Sequence, residues 1–576
     1  MLTTACLLLA AIPAAQPVLR PPAPFVPIGV SYRSEPPRER ERAAADLEAI
    51  HTLGFNSIRV PVEWADAEPT RGQYQFDALD QTLELAGRAG LKVMLQLDTA
   101  SVPNWLLRRY PDGRFIAESR SDGRRAERAC LDHPGVRADV EAYVGAATAR
   151  AARHAAWQAI DVGSELQDGF CVCPHTERRF RDWLKATFGS EARPAELATA
   201  DRAAFVAVER RDHLALLAGA SAVRGVRFAI SSSRAPSVIR NLIGEPPGQD
   251  DWLMTTVVDH YGTMVPPELT RVASLAPAQL GFALDGIRSA AREKGWLMTD
   301  RTLTDRAAEV PSAADLRLWT WAAWSRGARG VTYAEWRAFG PGAGRSLVGP
   351  DETISDRART AGGLARVVGR NPALFAPLRP RPAKVAIVYD PRPPTDGSTS
   401  MSPSLSNIYR ALFERNIQVD FIHLDEIAAG IGSRYNVVCI GSTSTLPKPA
   451  ADALKAYIAA GGTLIADSTP APTDQQAVEI AVRAGVRPDV RIEGATGPVE
   501  TRFLESTDVL MLIGLNHAAT PQRVKMTFTP DTQEAIWQNM ETGAAVNFVA
   551  GPEGPTYTYS FGPRDALVLM IRKSVR

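Results

Sequence analysis

Two short runs end in carboxylates where carboxylates can do chemistry. Asp161-Val162-Gly163-Ser164-Glu165 closes one with a glutamate directly after a small polar residue, and Trp296-Leu297-Met298-Thr299-Asp300 closes another with an aspartate. A pair of carboxyl groups facing each other across a cleft suits glycosidic-bond hydrolysis. One hands its proton to the leaving oxygen; the other attacks the anomeric carbon when the two stand about 5 Å apart, or activates a water at roughly 6.5 to 9.5 Å. Taken alone, Asp300 would more simply cap a following helix or pair with Arg301. What gives the two runs weight is the set of elements that carries them.

From residue 21 to 378 the chain alternates short apolar, β-branched segments with longer amphipathic ones, the pattern of parallel strands covered by helices. Strands are expected over 28–32, 57–62, 92–97, 159–165, 226–232, 257–261, 296–300 and 330–336. Eight such units predict an α/β fold built on a (β/α)8 TIM barrel, with its site at the carboxyl ends of the strands. Glu165 and Asp300 then end the fourth and seventh strands. Glu335, near the end of the eighth, competes with Asp300 as nucleophile, its plainer role being a salt bridge to Arg337 or Arg345. Tyr261 ends the expected sixth strand, where its phenol would hydrogen-bond the nucleophile and hold its pKa down. Trp336 and Trp105 offer aromatic faces to the C–H face of a pyranose.

Proline interrupts every period between 370 and 382, which marks a boundary. Residues 383–480 then read as a flavodoxin-like α/β domain. It lacks a phosphate-binding glycine loop, because Gly461-Gly462 follows a helix and caps its end. Residues 497–576 read as a small antiparallel β domain of short strands separated by turn residues. At the other end, residues 1–20 hold an apolar run closing in small residues, as a signal peptide does, which would make the chain secreted or periplasmic. No Lys or Arg precedes that run, so a cytoplasmic protein with an apolar start is the alternative. Composition agrees with an enzyme of several domains: 576 residues, 45% hydrophobic. The 65 basic and 64 acidic residues nearly cancel, so no charge footprint for nucleic acid or an anionic membrane exists.

The segment Gly54-Phe55-Asn56-Ser57-Ile58-Arg59-Val60, followed by Glu63-Trp64, Glu68-Pro69, Gly72, Phe76-Asp77, Leu79-Asp80 and Ala89-Gly90-Leu91-Lys92-Val93, resembles glycoside hydrolase family 42. Pro103-Asn104-Trp105-Leu106 with Tyr110-Pro111, Phe180-Arg181-Asp182-Trp183-Leu184 and Trp336-Arg337 continue the resemblance through the barrel. The middle unit, with its KAYIAAGGTL run over 455–464, is similar to that family's trimerisation domain, and the tail to its C-terminal β domain. The resemblance implies a retaining β-galactosidase-type enzyme acting on carbohydrate, a homotrimer, and no required cofactor, with Glu165 as acid/base and Arg59 on the terminal sugar. Two positions depart from the family's pattern. Ser164 stands where an Asn binds the sugar 2-hydroxyl, and a serine needs a bridging water to reach it. Thr299 aligns with the nucleophilic Glu, leaving Asp300 one position later. A glycosidase of different sugar specificity, or a catalytically silent sugar-binding or assembly protein on the same barrel, are the alternatives.

The resemblance also bears on the five cysteines. Similar family members bind a structural zinc through one upstream cysteine and a Cys-x-Cys-x-x-Cys group. Cys130, Cys171 and Cys173 match, but Thr176 replaces the last cysteine. Four-coordinate zinc would then need His175 or His133; a disulfide from Cys130 to one of the pair, or free thiols, are the alternatives. Cys439 sits in a buried-strand pattern, and Cys6 belongs to the leader.

Overall fold

The computed structural model describes residues 26–573 apart from 34–39, 100, 118–127, 164–168, 193, 195–197, 223–228, 234, 244–247, 249, 265–274, 300–309, 338–345, 350, 393–402, 442–445, 467–472 and 530–535. Eight parallel strands close a barrel in chain order: β1 (Ile28–Ser31), β2 (Ser57–Glu63), β3 (Lys92–Asp98), β4 (Trp157–Asp161), β5 (Ala229–Ser233), β6 (His260–Met264), β7 (Trp296–Thr299) and β8 (Ala328–Tyr333). Alternation gives each strand two faces. Val93, Ile160, Tyr261, Met298 and Val331 join the core beneath the helices, while Met94, Ala159, Ile230 and Leu297 pack together inside the barrel. Gly262 lets β6 and β7 approach, since a Cβ there would lie 2.5 Å from the Leu297 carbonyl oxygen.

Two strands differ from expectation. β4 stops at Asp161 rather than running to 165, and β6 begins at His260 rather than 257. Val257 and Val258 lie instead in the turn that follows the short helix Asp251–Met254, with Val258 buried against the core.

Beyond the barrel, Val419–His423, Val385–Tyr389, Val437–Ile440 and Thr463–Ala466 pair in that order, all parallel, as a flavodoxin-like sheet. Gly461, at φ +92°, follows the helix Lys448–Ala459 in the left-handed conformation that ends helices. Two antiparallel sheets follow, of six and three strands. The central strand Val509–Asn516 is buried throughout because both faces are covered: Met511, Ile513 and Leu515 face the barrel side, Leu510 and Leu512 the domain's own core. The proline-rich boundary is not merely a linker, for Arg379–Pro380 pairs with Val499–Glu505 as an edge strand. An edge tolerates proline because only one side of the strand must donate to the ladder.

A buried ion network joins the three units. Arg326, 0% exposed, contacts Asp285 at 3.2 Å from the helix Gln279–Ala291 and Glu500 at 2.6 Å from the tail. Arg502 reaches Glu500 and Asp285, each at 2.7 Å. From the middle unit, Tyr409 donates to Asp285 at 2.6 Å, and Arg288 bridges Asp285 to Asp420. Burial raises the pKa of Glu500, but Arg326, Arg502 and His517 hold it well below the usual carboxylate range. Asp285 is lowered by the same balance of burial against Arg326, Arg502 and Arg288.

Candidate active site

The barrel mouth is where the strand ends converge. β4 and β7 stand on opposite walls, with β5 and β6 between them on one side and β8, β1, β2 and β3 on the other. Ser164, Glu165 and Asp300, which follow these two strands, lie outside the described residues.

The described part of the site centres on an ion pair that the sequence reading did not contain. Arg59, on the inner face of β2 and 6% exposed, donates to Asp161 Oδ2 at 2.5 Å. Asp161 closes β4, and its Oδ1 accepts the Gly163 N–H at 3.4 Å. Register explains the reach: Arg59 lies level with Met94, and Asp161 level with Gln96, so the arginine extends two residues up the barrel. Met94, Ala159, Ile230 and Leu297 form an apolar cluster on the same inner face of the barrel. A strand-end aspartate aligned across one strand from an inward arginine was the signal that would have found it.

On the rim, Arg33 pairs with Glu63 at 2.5 Å. Burial raises the pKa of Glu335, with Arg33 pulling the other way. Glu335 does not pair with Arg337, which instead contacts Asp46 at 2.6 Å and Glu352 at 2.8 Å; Arg345 lies outside the described residues. Tyr261 requires correction. As the second residue of a later-starting β6 it faces the helix layer, where its phenol donates to Asp251 at 3.0 Å, a carboxyl that burial lifts to about 6. It therefore points away from the mouth. Trp336 also offers no open face: it is 1% exposed, with its N–H donating to Ser31 and its carbonyl accepting from Val348. Those two backbone bonds draw it into the barrel wall. Trp105 packs edge-on against Trp64, and its indole donates to the Glu68 carbonyl.

Several resemblance-bearing residues build the loop after β2 rather than the site. The buried Glu68 carboxylate accepts the Trp64 indole at 2.7 Å and the Gly72 N–H at 2.6 Å.

Cys130, Cys171 and Cys173 are buried free thiols whose sulfurs lie within 4.8 Å of one another. Cys130 and Cys173 are 3.5 Å apart, a contact rather than a disulfide. Neither histidine completes the set. His133 Nδ1 accepts the Gly135 and Val136 N–H groups as a helix cap, and both imidazoles turn their Nε2 atoms to Asp112. Thr176 Oγ1 takes the fourth side, 3.2 Å from Cys130 Sγ and 3.5 Å from Cys173 Sγ. That hydroxyl donates to Asp132 at 2.7 Å, which opens a second buried group absent from the sequence reading. Asp132 also accepts from Arg179 at 2.6 Å and His213 at 3.0 Å. Burial and contact with Asp132 push Glu209 up to about 10, so Glu209 is a neutral acid at neutral pH. Arg179 is shared between Asp132 and Asp212.

Comparison with known proteins completes the picture. The family model for glycoside hydrolase family 42, described as beta-galactosidase, matches residues 32–198. A beta-galactosidase of Thermus thermophilus is 27% identical over 420 residues, a match spanning 63% of this chain and 63% of that protein's length. The beta-galactosidase of Halorubrum lacusprofundi is 25% identical over 505 residues, covering 76% of this chain and 69% of the relative. Among solved structures, a catalytic mutant of a family 42 beta-galactosidase from G. stearothermophilus shares the fold with TM-score 0.78 at 16% identity, covering 96% of this chain and 99% of that one. The model of glycoside hydrolase family 42 thus matches this chain over residues 32–198, and the solved beta-galactosidases share its fold along nearly all of its length.

Proposed function

We propose that the chain hydrolyses a terminal β-linked sugar, nominally a β-galactoside, with retention. Glu165 gives its proton to the leaving oxygen while the Asp300 carboxylate forms the glycosyl-enzyme. Glu165, now ionised, then takes a proton from the water that opens the intermediate. What carries this reading is the closed barrel in which β4 and β7 end on opposite walls just before these two carboxylates, with Arg59 on the inner wall to donate to sugar hydroxyls. Ser164 would meet the 2-hydroxyl through a water.

Glu165→Gln tests the acid. Turnover of an alkyl galactoside, which needs protonation of its leaving group, should fall by about 10²- to 10⁴-fold, and an unchanged rate would remove the assignment. Labelling with a fluorinated galactoside should mark Asp300. A label on Glu335 would move the nucleophile there, and sugar binding with no turnover would establish a silent binding protein instead.

The cysteine group suits a sulfur-preferring ion. We propose that Cys130, Cys171 and Cys173 would hold a structural zinc with the Thr176 oxygen on its fourth side, tying the segment before the helix Pro134–Ala151 to the segment after β4. Its contribution would be a cross-link, with no part in bond cleavage. A homotrimer follows from the middle unit's resemblance, and a sedimentation mass of one chain would overturn it. No helix among the described residues is long and apolar enough to cross a membrane.

A further inference from the structure

We propose that Asp132 is a positioning residue for the cysteine group: it takes the one hydrogen of the Thr176 hydroxyl and so turns that oxygen's lone pairs to the metal as a fourth ligand. The inference rests on the proposal that this group holds zinc.

A tetrahedral ion with Zn–S bonds of about 2.3 Å and a Zn–O bond of about 2.1 Å asks for edges of roughly 3.8 Å between sulfurs and roughly 3.6 Å between sulfur and oxygen. Cys130 and Cys173 sulfurs are 3.5 Å apart, and Thr176 Oγ1 lies 3.2 Å from the first and 3.5 Å from the second. The group is therefore near the size of such a cage as it stands. The third sulfur, Cys171 Sγ, is held by the Ile116 N–H at 3.3 Å.

Whether the threonine oxygen can bind depends on where its hydrogen goes. A hydroxyl has one O–H and two lone pairs, and a carboxylate can only accept. At 2.7 Å, Asp132 Oδ2 takes the hydrogen, which leaves the lone pairs on the side of the sulfurs. Asp132 is fixed in turn. Its Oδ1 accepts from Arg179 at 2.6 Å and meets His213 Nε2 at 3.0 Å, Glu209 bonds to the same carboxylate, and the side chain is 1% exposed. Groups behind a metal ligand set its orientation and basicity. Without Asp132 the hydroxyl would turn its hydrogen to the sulfurs, and so toward the ion.

The test uses the full chain, with zinc affinity measured by competition with a chromophoric chelator and the visible spectrum recorded on cobalt-loaded protein. In Asp132→Asn, Arg179 can only donate and so keeps the amide oxygen, which leaves the amide N–H facing Thr176 and reverses the bond. Zinc affinity should fall about 10- to 100-fold, and the tetrahedral cobalt bands should weaken as water enters the fourth side. Thr176→Ser keeps the hydroxyl and should retain most of the affinity, whereas Thr176→Val should lose as much as Asp132→Asn. In the Thr176→Cys background the fourth ligand is a thiolate with no hydrogen to direct, and there Asp132→Asn should change the affinity by less than about twofold. An equal loss in both backgrounds, or no loss in Asp132→Asn, would make Asp132 a structural partner only and overturn the inference while the zinc reading stands. Should Asp132→Asn not fold, Thr176→Val, which leaves Asp132 and Arg179 in place, decides the matter: undiminished affinity would overturn the inference, and loss would support it. Wild type that binds neither zinc nor cobalt would end the zinc reading and this inference together.

Discussion

Glu500→Gln would break the network that joins barrel, middle unit and tail. The carboxylate lies 2.6 Å from Arg326, 2.7 Å from Arg502 and 3.0 Å from His517, and is almost fully buried. Each arginine pair, at an effective dielectric near 20 and about 4 Å between charge centres, is worth about 4 kcal/mol of attraction. The neutral amide loses that attraction, keeps an acceptor oxygen, and escapes the several kcal/mol that desolvating the carboxylate costs. The net is a loss of about 3 to 5 kcal/mol, the size seen when one partner of a buried pair is removed and the other left uncompensated. Urea unfolding at neutral pH should report it, and limited proteolysis should cut the variant first in the tail, whose strand Val499–Glu505 carries Glu500. An apolar double variant, Arg326→Met with Glu500→Met, removes both charges together and should recover most of the loss. A single variant within about 0.5 kcal/mol of wild type, or a double variant no better than the single, would refute the physics assigned to this junction.

The same network predicts acid sensitivity. Asp285 and Glu500 are held below their ordinary carboxylate range, so their contribution is complete above an unfolded pKa of about 4 and is lost as pH falls through the depressed folded values. Melting temperature should drop steeply below about pH 4, and less steeply in Glu500→Gln; parallel curves down to about pH 2.5 would exclude Glu500 as a cause. At the cysteine group, one zinc per chain should be released to a colorimetric chelator, Cys173→Ser should lose it, and Thr176→Cys should hold it about tenfold more tightly or better, in line with the thiolate preference of zinc. Metal-free protein with three intact thiols, or with Cys130 joined to Cys173, would show that the group holds no zinc.

Strand existence was legible because each barrel strand is a short apolar run between amphipathic segments. Six of the eight lie within a few residues of the expected spans. The sixth misled because Val257 and Val258 look like strand but serve to bury a turn, and that shift carried Tyr261 from the mouth to the helix layer. In the tail, the strand Val499–Glu505 is hard to read from its sequence, VETRFLE, because three charges interrupt it, and two of them, Glu500 and Arg502, are buried. A charged residue reads as solvated unless its partners are known, and here the two that come from the barrel, Arg326 and Asp285, are more than 170 residues away.

The sequence by itself determined the class of fold, with its barrel followed by an α/β and a β unit, and the three clustered cysteines, because periodicity, proline and local spacing are properties of neighbouring residues. Only the tertiary structure decided which polar groups meet. It set Arg59 against Asp161, Thr176 rather than a histidine beside the thiols, and Trp336 inside the wall rather than facing the mouth. These are contacts between segments far apart in the chain, fixed by strand register and barrel closure, and a buried charge finds its partner only when those segments have packed.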